Sequence, residues 1–482
     1  MLDLRPVGYV IGLLVAALGL TMLAPLVSDL TTGNGHWPVF LEAATVTTLF
    51  GALTALACRN GVTEGLTIRQ TFLLTSLVWI VLPVFGAVPF MLGATNLGFT
   101  DAFFESMSGL TTTGATVIGG LEALPEGLKL WRGILQWLGG IGIVVVAMVF
   151  LPELRVGGMQ IFRSEAFDTM GKILPRATEI SSRISVIYVA LTLSCAVAYA
   201  GTGMNSFDAM VHAMTTVSTG GMANFDASFG AFGAGAHYVA VVFMILAALP
   251  FVRYVQLIGG HASPLLLDRQ VRGFFVTIAI IVLTLSLFLA DTVHGFTEVA
   301  FRESLFNVVS IMTGTGYSSA DYMLWGPFAV TIFFFVGLIG GCAGSTACSI
   351  KIFRYQLLFA SIRTQIKRIH SPHGVFTPRY DGRTVSDDIL NSVMAFFVAF
   401  IVSLGLVTVA LGLTGLDFIT SVSGAVAALG NIGPGLGPEI GPAGNFNGLN
   451  DTAKWILSFA MFVGRLEVLS VMTILTWHFW RA

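Results

Sequence analysis

The sequence predicts an all-α integral membrane protein. Four repeats of helix, re-entrant pore loop and helix surround a pseudo-fourfold pore, and an N-terminal two-helix hairpin precedes them. Three observations predict this. Of 482 residues, 55% are hydrophobic and only 10% charged, with a mean hydropathy of +0.85, whereas a soluble domain carries about 25% charged residues. Several apolar runs reach the roughly 20 residues that a bilayer core requires. Between them recur four shorter segments, each ending in a cluster of Gly, Thr, Ser or Asn.

Ten spans are expected, at 6–28, 39–58, 70–94, 130–152, 180–201, 236–258, 272–291, 325–359, 389–413 and 452–479. The run from Val7 to Val27 is too long for a signal peptide and has no cleavage site, so it reads as a retained helix. Ten crossings place both termini on one side, together with 19 of the 24 basic residues. Lys129, Arg132, Arg302 and Lys454 fall on the other side, and Arg465 falls within a span. This bias assigns both termini to the cytoplasm. The outer side collects acids, among them Asp101, Glu105, Asp208, Asp226 and Asp417. They either raise the local cation concentration at an outer vestibule or simply solvate the loops. The four cysteines match no metal or redox spacing, and a net charge of −2 points to no nucleic-acid partner.

The spans group into a hairpin (1–60) and four repeats, at 70–152, 179–258, 271–360 and 388–482. Each repeat contains one segment too short to cross: "DAFFESMSGLTTTGATV" (101–117), "FDAMVHAMTTVSTGGMANFD" (207–226), "FRESLFNVVSIMTGTGYSSADY" (301–322) and "DFITSVSGAVAALGNIGPGLG" (417–437). An acid near each start suits a helix N-terminus. Aligning the endings "TTTG", "VSTG", "TGTG" and "GNIG" puts Gly114, Gly220, Gly316 and Gly433 in register, at spacings of 106, 96 and 117 residues. Repetition at this period means four copies of one structural unit.

Non-helical backbone at membrane depth survives only where it is buried in protein or lines water. Glycine permits positive φ, so carbonyls can turn toward a common axis. Four such loops supply rings of oxygens able to replace an ion's hydration shell. Each short helix enters from outside, so its negative C-terminal end points inward. The ion is therefore a cation. The candidate filter residues are Thr112, Thr113 and Gly114; Ser218, Thr219 and Gly220; Gly314, Thr315 and Gly316; and Asn431, Ile432 and Gly433. The hydroxyls of Thr112, Thr113, Thr219 and Thr315 can add further oxygens.

Across essentially the whole chain, this pattern resembles the Trk, Ktr and HKT superfamily of potassium transporters. The N-terminal hairpin, "TTTGA", "STGG", "TGTGY", "GNIGPG" and the late "GRLE" are most similar to its TrkH/TrkG branch. The resemblance implies that Gly114, Gly220, Gly316 and Gly433 are selectivity-filter glycines and that K+ is the transported ion. Some plant members of the superfamily with a serine at the first position favour sodium, and Gly114 argues for potassium. In the fourth loop Asn431 and Ile432 depart from the Thr/Ser pattern, so the filter is only pseudo-symmetric.

The eighth span is interrupted by the glycine-rich "GLIGGCAGSTACSIK" (337–351). It is no phosphate loop, since no strand precedes it and no GK[ST] follows. Its glycines suit either tight helix packing or a broken helix. The resemblance implies an intramembrane gate at 337–349, with Gly340, Gly341, Gly344 and Ser345 in the loop and Lys351 closing it. Arg465 interrupts the apolar final span, where a charge costs at least about 2.5 kcal/mol and so faces a cavity or a partner. The resemblance places it on the ion path below the filter.

The resemblance further implies a homodimer in the bacterial inner membrane, docked on a cytoplasmic ring of nucleotide-binding TrkA-type subunits. Basic segments such as "RTQIKRIH" (363–370) can alternatively bind anionic lipid headgroups. No organic cofactor is expected. An intramembrane enzyme would need a catalytic constellation, and the sequence offers none. A symporter coupling K+ to H+ or Na+ would need ionisable groups at the substrate site, where the loops offer backbone, hydroxyl and amide groups. A Na+-permeable transporter of the same fold is the remaining alternative.

Overall fold

A computed structural model describes residues 3–61, 66–149, 177–291 and 297–481. Arg155, Arg163, Lys172 and Arg176, counted above as cytoplasmic, lie outside the described residues, as does the end of the 130–152 span. The hairpin comprises α1 (Arg5–Thr21), α2 (Leu23–Thr32) and α3 (Trp37–Cys58). The first unit holds α4 (Ile68–Gly86), α5 (Val88–Leu92), α6 (Phe99–Leu110) and α7 (Glu126–Val149). The second holds α8 (Ala177–Gly201), α9 (Ser206–Val217), α10 (Ala234–Ala247) and α11 (Phe251–Ile258), and α12 (Ser263–Leu267) leads out of it. The third holds α13 (Arg269–Leu289), α14 (Glu298–Thr313), α15 (Pro327–Gly337) and α16 (Ile352–His370). The fourth holds α17 (Asp387–Leu413), α18 (Phe418–Gly430), α19 (Asp451–Arg465), α20 (Val468–Leu475) and α21 (Trp477–Arg481).

The short segments form the four pore helices α6, α9, α14 and α18. Side chains start three of them, as expected for helix N-termini. Asn205 accepts from the Asp208 N–H, Thr297 from Ala300, and Asp417 from Ile419 and Thr420. The first lacks a side-chain cap, with Gly98 at that position and Asp101 in its first turn.

The spans differ from ten unbroken helices. Among the described residues, seven helices are long and apolar enough to cross a membrane, and two bent pairs raise the number to nine. The expected span 236–258 bends by 89° between α10 and α11, because Pro250 cannot continue the helix ladder. The expected span 452–479 bends by 108° between α19 and α20, where Glu467 takes a positive φ of 60°. The expected span 325–359 is two helices separated by the segment 338–351. The chain is also not purely helical. Arg379–Tyr380 and Arg383–Thr384 pair antiparallel as β1 and β2. Asp381 and Gly382 between them both have positive φ, the Asp-Gly signature of a tight hairpin turn.

Small residues bring α1 and α3 close together. A β-carbon on Gly51 would lie 2.3 Å from the Ala16 nitrogen, and one on Gly12 2.5 Å from that of Ala55, the close approach that lets membrane helices associate by van der Waals contact. The hairpin is tied to the first unit by Asp29, whose side chain is fully buried. Its carboxylate accepts from Asn34 Nδ2 at 2.7 Å, His36 Nδ1 at 3.0 Å and the Gly127 N–H at 2.7 Å. His36 Nε2 accepts from the Ala94 N–H at 3.0 Å, so the imidazole proton sits on Nδ1. Asp29→Ala orphans these donors and should cost roughly 3 kcal/mol. The thermal transition of the detergent-solubilised protein should drop accordingly, with Asp29→Asn losing less. An unchanged transition would show that the hairpin docks without this link.

Candidate functional site

Each pore helix ends in a loop with two positive-φ residues, two positions apart. They are Thr112 and Gly114, Thr219 and Gly221, Gly314 and Gly316, and Asn431 and Gly433. Left-handed backbone costs an L-residue about 1–2 kcal/mol, and the β-branched Thr112 and Thr219 are strained there. Such strain persists only where the surroundings over-determine it.

The surroundings here are the neighbouring loops. A β-carbon on Gly114 would lie 2.1 Å from the Gly220 carbonyl oxygen. One on Gly221 would lie 1.7 Å from that of Thr315, one on Gly316 2.0 Å from that of Ile432, and one on Gly433 2.9 Å from that of Thr113. The order first to second, second to third, third to fourth and fourth to first closes a ring. Its four carbonyls belong to Thr113, Gly220, Thr315 and Ile432. Gly114, Gly221, Gly316 and Gly433 together line a cavity of about 190 Å³ on its outer side.

This geometry corrects the register of the second loop. Gly221, not Gly220, is the counterpart of Gly114, Gly316 and Gly433, and Gly220 occupies the position of Thr113, Thr315 and Ile432. "STGG" offers two adjacent glycines, and only the φ values and the ring contacts distinguish them. The hydroxyls of Thr113, Thr219 and Thr315 are engaged within the protein: Thr113 Oγ1 with Thr111 at 2.7 Å, Thr315 Oγ1 with Thr313 at 2.8 Å, and Thr219 Oγ1 with the Ser218 carbonyl at 2.7 Å. Thr112 Oγ1 lies 3.8 Å from Cys348 Sγ.

A different polar strap crosses each junction of the ring. From α7, Arg132 pairs with Glu105 at 2.9 Å and donates to the Ala223 carbonyl at 2.7 Å, while Gln136 holds Gly220 and Met222. The Tyr317 hydroxyl bonds those of Thr215 and Thr216. Ser318 donates to the Pro442 carbonyl at 3.1 Å. Asn431 Nδ2 donates to Thr113 Oγ1 at 3.0 Å, and Lys454 pairs with Asp101 at 2.6 Å. Glu105, paired with Arg132, and Asp208, which accepts from Asn224 Nδ2 at 2.7 Å, are buried braces, not vestibule charges. Among the acids named from the sequence, Asp226 lines the outer cavity, and it also accepts from the N–H groups of Gly120 and Leu121.

Beneath the ring, the segment 338–351 caps the pore helices. The last carbonyls of an α-helix lack intrahelical partners. Thr346 Oγ1 donates to the Val217 carbonyl at 3.1 Å, the Cys348 N–H to Thr313 at 3.4 Å, and the Ser349 N–H to Gly430 at 2.9 Å. The break at Pro250 holds the same segment from the side, with the Cys342 N–H bonded to Ala248 and the Phe251 N–H to Gly344. Arg465 closes α19 at its bend instead of standing mid-helix, and Nη1 donates to Cys348 Sγ at 2.8 Å and Nη2 to the Gly139 carbonyl at 3.2 Å. Lys351 Nζ donates to the Ala347 carbonyl. Glu467 pairs with Arg354, whose guanidinium stacks 3.8 Å from the Phe396 ring centre. Ser345, Lys351, Asn431 and Arg465 line a small cavity just below the ring together with Gly344, while Gly340 packs against the Cys348 carbonyl and Gly341 against Ala347.

The arrangement is a ring of backbone oxygens above a basic plug. Comparison with known proteins now places it. A family profile described as "TrkH: Cation transport protein" matches residues 36–478. The chain belongs to the TrkH family of cation transport proteins. Family membership makes it a transport protein, not an enzyme. It is 45% identical over 415 residues to the Trk system potassium uptake protein TrkI of Halomonas elongata, covering 86% of this chain and 84% of that protein. It is 37% identical to the Trk system potassium uptake protein TrkH of Vibrio parahaemolyticus over the full length of both. The crystal structure of the potassium transporter TrkH from Vibrio parahaemolyticus superposes with a TM-score of 0.90 at 34% identity, covering all of both chains. In this TrkH-family chain, sequence reasoning missed Gln136, Cys348 and the Glu105–Arg132 pair. A glutamine within the expected span 130–152, one turn after Arg132, was the available signal for the first. The others show no periodic or motif signal.

The corrected register makes a prediction. Gly221→Ala must place a β-carbon against the Thr315 carbonyl at positive φ, whereas the three atoms nearest a β-carbon on Gly220 all belong to the Gln136 side chain. Ion uptake at matched membrane levels should fall further in Gly221→Ala, by about tenfold relative to Gly220→Ala for each 1.4 kcal/mol of difference. Equal effects would restore the Gly220 register.

Proposed function

We propose that this protein takes up potassium across the bacterial inner membrane, with both termini cytoplasmic, through a channel-like path selected by the four loop backbones. The observation that carries this reading is the closed ring, in which each loop glycine abuts the next loop's carbonyl. Its four loops, 111–116, 218–223, 313–318 and 430–435, contain no Asp, Glu, His, Lys or Arg. Carbonyl dipoles can replace a hydration shell without binding a coupling proton. The relatives named as potassium uptake proteins support K+ as the ion.

The segment 337–349 acts as the gate, with Lys351 and Arg465 placing positive charge where a cation would wait below the filter. A homodimer and a cytoplasmic nucleotide-binding TrkA-type subunit complete the system. The subunit acts on the exposed end of α16, which leads out from the gate.

Two measurements test this. In liposomes, K+ flux at a fixed K+ gradient should be the same with and without a proton or sodium gradient. Flux that follows either gradient would establish coupled symport instead. Arg465→Ala removes the guanidinium that holds Cys348 in the plug and should increase K+ flux at equal protein density. Loss of membrane expression, with no gain in the protein that remains, would assign Arg465 a purely structural role.

A further inference from the structure

Gln136 sits in α7, in the first unit, yet its amide serves the loop of the second. It is fully buried. Nε2 donates to the Gly220 carbonyl at 2.6 Å, and Oε1 accepts from the Met222 N–H at 3.0 Å. The second bond fixes the amide orientation, because only the oxygen can accept from a backbone N–H. Burying an amide costs free energy unless it is hydrogen-bonded, and an apolar residue would serve an isolated apolar helix better. What Gln136 gains here is two backbone partners, one on each side of Gly221.

The Gly220 carbonyl is one of the four that form the ring. Among the described residues, it is the one ring carbonyl with a protein donor, as no hydrogen bond reaches those of Thr113, Thr315 and Ile432. A carbonyl has two lone pairs, and Gly220 shares one with Gln136. Ion discrimination in such a ring depends on the number and field strength of its dipoles. We propose that Gln136 is a specificity-determining residue that aims the Gly220 carbonyl and weakens its field, so that the ring holds an ion with three free carbonyls and one shared. This rests on the filter reading given above. Gln136 acts through Gly220 and is a positioning residue.

The test compares Gln136→Leu and Gln136→Met, which both remove the two bonds, the second with an unbranched side chain of similar length. Reversal potentials under K+ on one side and Na+ on the other give the permeability ratio, with Gly114→Ser measured alongside. The ratio should change about fivefold in both Gln136 variants, the worth of one neutral hydrogen bond. An unchanged ratio in both, with a shifted ratio in Gly114→Ser, overturns the inference and leaves the filter standing. An unchanged ratio in Gly114→Ser overturns the filter reading and this inference with it. If Gln136→Leu does not reach the membrane, Gln136→Met decides. Failure of both to fold overturns the proposal in favour of a packing role.

Discussion

Everything in this molecule depends on the contact between one loop's glycine Cα and the next loop's carbonyl. At membrane depth a non-helical chain has to be enclosed by protein or face water, and four loops solve that problem for one another. The contact leaves no room for a β-carbon at Gly114, Gly221, Gly316 or Gly433. It also dictates the reversal of backbone hand two residues earlier, which ends each pore helix. Thr112 and Thr219 accept a conformation that threonine disfavours because the ring closes only that way.

The ring is fourfold in backbone and not in side chains. An arginine–carbonyl bond and an amide secure the first junction, tyrosine and threonine hydroxyls the second, a serine–carbonyl bond the third, and an asparagine with a lysine–aspartate pair the fourth. Losing one partner of the buried Arg132–Glu105 pair would leave an uncompensated charge. Repetition supplied the scaffold, and each interface was then closed by whatever polar groups lay within reach.

Below the ring the same physics works in reverse. The three helix breaks, at Pro250, at 338–351 and at Glu467, free backbone groups that would be costly in lipid. The first two satisfy each other, and the segment 338–351 also satisfies the carbonyl ends of three pore helices, while the third brings Arg465 onto Cys348. The plug is therefore held by backbone bonds each worth about 1 kcal/mol net and by one guanidinium on a thiol.

The sequence by itself determined the membrane class, the four repeats and the family, because hydropathy, glycine spacing and motif are properties of the chain in one dimension. It also located the interruption at 337–351 and singled out Arg465 as misplaced in lipid. The tight Asp381–Gly382 turn is legible in its residue pair. Only the tertiary structure decided which glycine of "STGG" joins the ring, since adjacent glycines are equivalent until a neighbour's carbonyl selects one. It alone paired Arg465 with Cys348, 117 positions away, and turned Gln136 toward a loop 84 positions on. Contacts between repeats depend on how four separate units pack about one axis, and no local pattern along the chain encodes that arrangement.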